Sequence, residues 1–396
     1  MMASATRASL GKSVLLLEKN ATLGKKLLIT GGGRCNVTNA ESDLRKLLSK
    51  FKGSDKYLFS AFSKWGVKDT LDFFHNRGLQ TKVENENRVF PVTDKAESVW
   101  KVLVDYLKES KVEVRSNSEV IGFDSKDGKI NAVVLKGGEM IQADSFILAT
   151  GGTSHKETGS TGDGMKWLKA LGHKVSDPDV SLVPVTTSDD WSKSISGVSL
   201  TDIKLSLIQF GKKQKSKRGK ILFTHFGITG PTVLNMSKDI REMLSYGDLL
   251  IEIDLLPSDD HGKLNQKLQE IFKQNSNKKI KNSLSEIVPS SLVDHILELA
   301  GIDRDLECNS VKRESRMNLI EVMKHLPLHP TGLLGSDKAI ITSGGVSLDE
   351  VDFKTMRSKL YPNLHIVGDL LDIDRPSGGY SLQLCFTTGH VAGSSI

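Results

Sequence analysis

Hydrophobic and polar positions follow several textures along the chain. Residues 14–17 form a continuous β-favouring run closed by Glu18, the pattern of a strand covered on both faces. Helical spacing with charged outer faces follows over 42–50, 67–76 and 96–109, the last beyond a turn at Phe90-Pro91. Short strand patterns occupy 112–114, 119–124, 130–135 and 145–149, the middle two joined by a polar Ser125-Lys126-Asp127-Gly128 turn. Residues 162–171 then read as a helix.

After Pro184 the texture changes. Strand-like alternation runs from 185 to 253, and 258–326 is helical and rich in Lys, Glu, Gln and Asn, including 264–274 and 290–299. Strand texture returns over 339–346. A strand at 364–367 then enters a glycine turn and a last helix near 382–392. These switches predict an α/β domain in two pieces, 1–184 and 344–396. Between them lie a β-rich insert, 185–256 plus 327–343, and a helical subdomain, 257–326.

Composition narrows the class. With 38% hydrophobic and 26% charged residues, wholesale disorder is not expected, and no apolar stretch reaches the roughly 20 residues of a membrane span. Three cysteines without a Cys-x-x-Cys pair exclude a disulfide scaffold and a Cys-based zinc site, and they suit a cytoplasmic protein. The net charge of +6 is matched by the six cations of 211–220 (GKKQKSKRGK), so the remainder is neutral. That run reads as a solvated hairpin loop between strands at 203–210 and 221–226. No aromatic residue interleaves it, so a nucleic-acid partner is not expected.

The candidate chemistry sits where glycines cluster. A strand ending in an acid about 20 residues after Gly-x-Gly-x-x-Gly marks a dinucleotide-binding unit, with the acid on the adenosine ribose. Residues 14–17 and Glu18 supply the strand and acid, but only 17 residues precede Glu18, and 4–11 match the end of the intervening helix. The phosphate-binding turn is therefore expected to be absent from this chain. Gly31-Gly32-Gly33-Arg34-Cys35-Asn36 allows close approach of a planar ligand or phosphate, with Arg34 and Asn36 as donors. Lys25 and Lys26 are candidate counter-charges for a pyrophosphate; a plain loop is the alternative reading. Cys35, without a second Cys nearby, reads as a packing thiol.

Thr150-Gly151-Gly152 follows a strand, and 159–164 (GSTGDG) precedes a helix, both places where backbone passes a cofactor. His155 and His173 lie nearby without ligand-like spacing and read as structural or solvent-facing. Gly368-Asp369 follows the last strand, where the carboxylate can accept from a polyol chain. Gly379, Tyr380, Ser381 and Leu382 open the last helix, whose amides can stabilise negative charge on a reduced isoalloxazine.

Taken together, the blocks at 15–39, 88–99, 147–164, 222–231 and 341–383 resemble the BaiN-like (HI0933-like) family of bacterial NAD(P)/FAD-dependent oxidoreductases. The resemblance implies a glutathione-reductase-like, FAD-binding Rossmann domain lacking its first strand and Gly-x-Gly-x-x-Gly turn, with inserted β-barrel and helical subdomains. It places Glu18 and its neighbour Lys19 at the adenosine end, and Val120 against the adenine through its backbone. It puts 31–36 near the flavin, Asp369 on the ribityl or pyrophosphate, and 380–382 at the flavin edge. Asp369 and Ser381 stand where the family usually has Glu and Asn. The implied activity is hydride transfer at flavin N5 to or from a small organic substrate, with NAD(P)H as a possible electron donor. A truncated, catalytically impaired homologue acting as a binding or scaffold protein is the alternative. A flavin-dependent RNA-modifying enzyme would rest only on the basic run. No residue presents itself as a general acid or base, and neither the substrate nor the oligomeric state is legible.

Overall fold

The computed structural model describes residues 1–51, 53–334 and 341–396. Contacts divide the chain into two compact units, Met1–Val180 with Ala339–Ile396, and Ser181–Lys338.

In the first unit, two parallel strand pairs stand in separate sheets. Leu15–Leu17 pairs with Glu113–Arg115, and Phe146–Leu148 pairs with Leu364–Ile366. Leu15–Leu17 is half-buried rather than enclosed on both faces, because among the described residues Glu113–Arg115 is its one strand partner. Helix Ala96–Glu109 forms where its spacing predicts, burying Val99, Val102, Leu103 and Leu107 on one face. Met2–Ser9 is helical and lies against the final helix, Tyr380–Ser395. Gly389 and Gly393 permit that approach: a Cβ at Gly393 would lie 2.4 Å from the carbonyl oxygen of Ala3. Helix Asp55–Lys64 has no counterpart in the periodicity reading. Its buried Leu58, Ala61 and Phe62 face the core, where the Phe51 and Phe62 rings meet edge to face at 5.4 Å. Strand Ile341–Val346 pairs with Val175–Ser181; residues 339–340, read as strand above, lie outside the described residues.

Both histidines of this core are structural. His173, wholly inaccessible, bonds Glu350 through Nδ1 at 2.8 Å and Ser358 through Nε2 at 3.0 Å. His365 is 3% exposed on the strand Leu364–Ile366, and its Nδ1 has no partner among the described residues. Burial disfavours its charged form and lowers its pKa from 6.5 to about 4. The unfolded chain therefore binds the proton first on acidification, so stability falls as pH drops from about 6.5 toward 4. The expected loss between pH 7 and 4.5 is roughly 2–3 kcal/mol. Urea unfolding of His365→Leu should show that loss removed; an unchanged acid slope would refute the assignment.

The second unit is built on a seven-stranded antiparallel sheet. Its two edge strands, Leu326–Leu328 and Pro330–Leu333, are separated by His329 alone, so the sheet must curl until its edges approach each other. Helices His261–Gln274, Ser290–Leu299 and Arg313–Lys324 pack together, with Leu264, Leu268, Ile296 and Ile320 in the core they share with the sheet. Two readings are corrected here. Pro231–Tyr246, taken as part of a strand-rich stretch, is a 16-residue helix. It opens with Pro at its first position after Gly230 and buries Val233, Met236 and Ile240 at helical spacing. The basic run is also not a loop: strands Ser199–Gln209 and Lys212–Thr224 continue through it to a two-residue turn, Phe210-Gly211, at positive φ. Phe210 at that tip is 78% exposed and Tyr246 is 69% exposed; a Cβ on Gly247, next to Tyr246, would lie 4.0 Å from the Phe210 ring. Aromatic surface thus accompanies the cations, which the linear run concealed. None of the described helices is long and apolar enough to cross a membrane.

Candidate functional site

Thr150-Gly151-Gly152 and Gly368-Asp369 follow the C-terminal ends of the paired parallel strands Phe146–Leu148 and Leu364–Ile366, the usual ligand side of an open α/β sheet. Glu18 ends its strand with one carboxylate oxygen, Oε1, accepting from Asn20 N at 2.9 Å and Nδ2 at 2.8 Å. Asn20 Nδ2 also reaches the Thr158 carbonyl at 3.1 Å, and Lys19 Nζ reaches Thr161 Oγ1 at 2.7 Å and Asp163 at 3.1 Å. The acid end of the first strand is therefore tied to the loop that leads into helix Asp163–Ala170. Ser118 N donates to the Glu18 carbonyl, bringing the start of strand Val120–Lys126 alongside; Val120 there pairs with Leu135.

A second chain of polar contacts runs through Asp369. Lys26 Nζ donates to Ser154 Oγ at 2.8 Å and lies 3.6 Å from Asp369 Oδ2. The other Asp369 oxygen pairs with Arg375, whose side chain is completely inaccessible. Arg375 also donates to Ser381 Oγ at 3.0 Å and to the Ile373 carbonyl at 2.7 Å. Burial works against the Asp369 charge, but Arg375 and Lys26 outweigh it and hold the carboxyl below its usual range. Lys26 is thus an internal partner of Asp369, whereas Lys25 is exposed. Arg375 was not singled out from the sequence; its signal was a lone cation, Asp-Arg-Pro, between the last strand and the last helix.

The GGGRCN segment is the third element. Gly31, Gly32 and Gly33 all have positive φ, at 58°, 67° and 84°, and Cys35 follows at 60°. A Cβ at Gly32 or Gly33 would meet nothing within 4 Å, so this backbone presents an open face. Arg34 does not line that face. Its guanidinium pairs with Glu84 and Asp94 and lies 4.2 Å over the Phe90 ring, an arrangement that raises its pKa and makes it a brace. Cys35 is fully buried; burial raises its thiol pKa to about 11, which keeps it protonated and makes it a packing group. Asn36 turns inward, with its Oδ1 buried and without a partner among the described residues.

The chain then runs through Thr38–Asn39 to the start of the last helix. Asn39 Nδ2 donates to the Gly378 carbonyl at 3.1 Å, and Thr38 Oγ1 to Gln383 Oε1 at 2.6 Å. Gly379 sits at φ 97°, where a Cβ would lie 2.2 Å from the backbone carbon of Thr38. Helix Tyr380–Ser395 begins without a side-chain cap, and the first-turn amides of 380–382 have no intrahelical acceptor. Tyr380 itself is buried, edge-on to Phe51 at 5.9 Å. Thr150 Oγ1 is a second buried oxygen in this region without a partner among the described residues, packed where a Cβ on Gly164 would lie 2.1 Å away. Gly151 and Gly152 continue that loop, with Gly151 at φ 75° against Ser160. His155 pairs with the solvent-facing Glu157 at 2.9 Å and takes no part.

This arrangement, an acid-ended strand, a glycine-lined face and an uncapped helix start on a split parallel sheet, defines an α/β protein with an FAD-binding Rossmann-type fold. The chain belongs to the HI0933-like protein Rossmann domain family, which matches residues 1–395. It is 29% identical over 395 residues to a 3-dehydro-bile acid delta(4,6)-reductase of Clostridium scindens, covering 98% of this chain and 94% of that one. It is 29% identical over 401 residues to a ribosomal RNA dihydrouridine synthase of Haemophilus influenzae, covering 100% and 95%. Among solved structures, the 3-ketosteroid delta1-dehydrogenase of Sterolibacterium denitrificans shares the fold, with a TM-score of 0.53 at 12% identity over 99% of this chain and 96% of that one.

Proposed function

We propose that the first unit binds FAD and that the protein is a flavin-dependent oxidoreductase that saturates a carbon–carbon double bond conjugated to a carbonyl group. The observation that carries the cofactor reading is the pair of buried oxygens, Asn36 Oδ1 next to Gly31 and Thr150 Oγ1 beside Gly164, left without partners among the described residues while Gly32 and Gly33 present open backbone. Buried polar atoms are almost always paired, and a bound flavin's donors would satisfy these two. Glu18 keeps its Oε2 for the adenosine ribose, Asp369 keeps lone pairs for the ribityl hydroxyls, and the amides at 380–382 stabilise negative charge at the pyrimidine edge. When bound, the flavin supplies the hydride acceptor and donor, with NAD(P)H as the expected reductant.

Two relatives support the reaction class. A delta(4,6)-reductase of a 3-dehydro-bile acid and a dihydrouridine synthase both saturate a double bond in conjugation with a carbonyl. Their substrates differ, and a specific feature of this chain favours the nucleic-acid side. The hairpin tip presents exposed Phe210 beside Lys212 and Lys213, with Tyr246 also exposed, which suits stacking on an unpaired base beside a phosphate backbone. A scaffold role without chemistry gains no support from these features.

The test is a visible spectrum followed by turnover. Full-length protein supplied with FAD should show the flavin absorption, and Asn36→Leu or Thr150→Val should weaken FAD binding roughly 10-fold or more. Protein that cannot take up FAD would overturn the cofactor reading. The flavin-loaded protein and NADPH should then reduce uracil in unmodified ribosomal RNA, with Phe210→Ala impairing turnover but not FAD binding. Reduction of a steroid enone instead would reject RNA and keep the reaction class; reduction of neither would reject the class.

A further inference from the structure

We propose that the Ser181–Lys338 unit carries a site for a divalent transition-metal ion, formed by His261, Glu321 and His325 and oriented by Glu252. The proposal does not depend on the flavin reading. His261 is the first residue of helix His261–Gln274. Glu321 lies in the last turn of helix Arg313–Lys324, and His325 follows that helix directly, one turn further along the same side. One ligand atom from each of the three lies within 4.8 Å of the other two, the one such grouping among the described residues. His261 Nε2 is 3.2 Å from Glu321 Oε1, and the two imidazole rings are 6.3 Å apart. Ligand atoms about 2.0–2.2 Å from a tetrahedral ion stand roughly 3.3–3.5 Å from one another, so small side-chain rotations close the set.

Glu252 makes the grouping more than a surface ion pair. Its Oε2 lies 3.0 Å from His325 Nδ1, so a proton held there leaves Nε2 as the free ligand nitrogen. A carboxylate in this position fixes the tautomer and raises the basicity of a metal-binding histidine. The framework is also held. Glu252 stands on strand Leu250–Asp254, and Lys324 clamps the end of its helix beside that strand through Asp254 at 2.7 Å and the carbonyls of Leu256 and Asp259 at 3.0 and 2.8 Å. Asp260 caps the other helix through Lys263 N at 2.8 Å. Two imidazoles and one carboxylate favour Zn2+ or Co2+ over Mg2+ or Ca2+. The three ligands are 46%, 58% and 50% exposed, which leaves the remaining coordination position to water and the site open to ions from solution. A bound ion would tie the start of one helix to the end of another and to the sheet beneath them.

The test is calorimetric titration of chelator-treated, untagged full-length protein with Zn2+. One ion should bind per chain. His261→Ala and His325→Ala should each weaken binding at least 100-fold, and Glu252→Gln roughly 10- to 100-fold. The three side chains sit on or directly after formed elements and none is fully buried, so circular dichroism should show the variants folded. Ca2+ should not compete. Absence of stoichiometric Zn2+ binding, retention of affinity in both histidine variants, or equal affinity for Ca2+ would overturn the proposal.

Discussion

Gly379→Ala is expected to destabilise the protein by roughly 2–5 kcal/mol, the sum of a left-handed conformation imposed on a residue with a Cβ and a steric overlap. The new methyl would stand 2.2 Å from the carbonyl carbon and 2.3 Å from the oxygen of Thr38, both backbone atoms that cannot rotate away. The start of helix Tyr380–Ser395 would have to shift from strand Thr38–Asn39, breaking the Thr38–Gln383 bond. Gly33→Ala is the internal control. At φ 84° it carries the conformational cost but meets nothing within 4 Å, so about 1–2 kcal/mol is expected. Equilibrium urea unfolding of both variants measures the difference. Equal losses would mean that the helix start yields freely and does not depend on this close approach.

Replacing Asp369 by Leu is expected to cost roughly 3–5 kcal/mol, because it strands the inaccessible guanidinium of Arg375. Removing both charges in Asp369→Leu/Arg375→Met should recover most of that loss, since the cost lies in the unpaired charge. The pH dependence has a definite sign. Asp369 has a lowered folded pKa, so its contribution is complete above the ordinary aspartate range and disappears as pH falls through the folded value. Urea unfolding at neutral and acidic pH tests both statements. A double variant as unstable as the single one would show that Arg375 is held by Ser381 and Ile373 without help from the carboxylate.

The segments at the site were legible for a physical reason. Glycines at 31–33, 151, 368 and 379 adopt positive φ, and composition exposes that requirement in a linear sequence. The Glu18 strand and the helix Ala96–Glu109 announce themselves through short-range periodicity, which needs no knowledge of what they pack against. Side-chain direction is different. Arg34 was read as a donor to a planar ligand or phosphate and Lys26 as a counter-charge for a pyrophosphate, yet one braces Glu84 and Asp94 and the other pairs with Asp369. Those carboxylates lie 50, 60 and 343 residues away, beyond any local pattern.

The same division explains the helix Pro231–Tyr246 and the basic hairpin. Both sat inside a stretch of strand-like alternation, where a Gly-Pro start and a two-residue turn were weak signals beside the surrounding pattern. Residue type by itself determined that this is an α/β chain with glycine-built turns and a strand ending in an acid, because backbone preference and local periodicity act over a few residues. Tertiary structure decided which charges neutralise one another, that Arg375 lies buried behind Asp369, and that Asn36 and Thr150 carry oxygens unpaired among the described residues. Those outcomes depend on electrostatics and packing between segments that are distant in the chain and meet only when it folds.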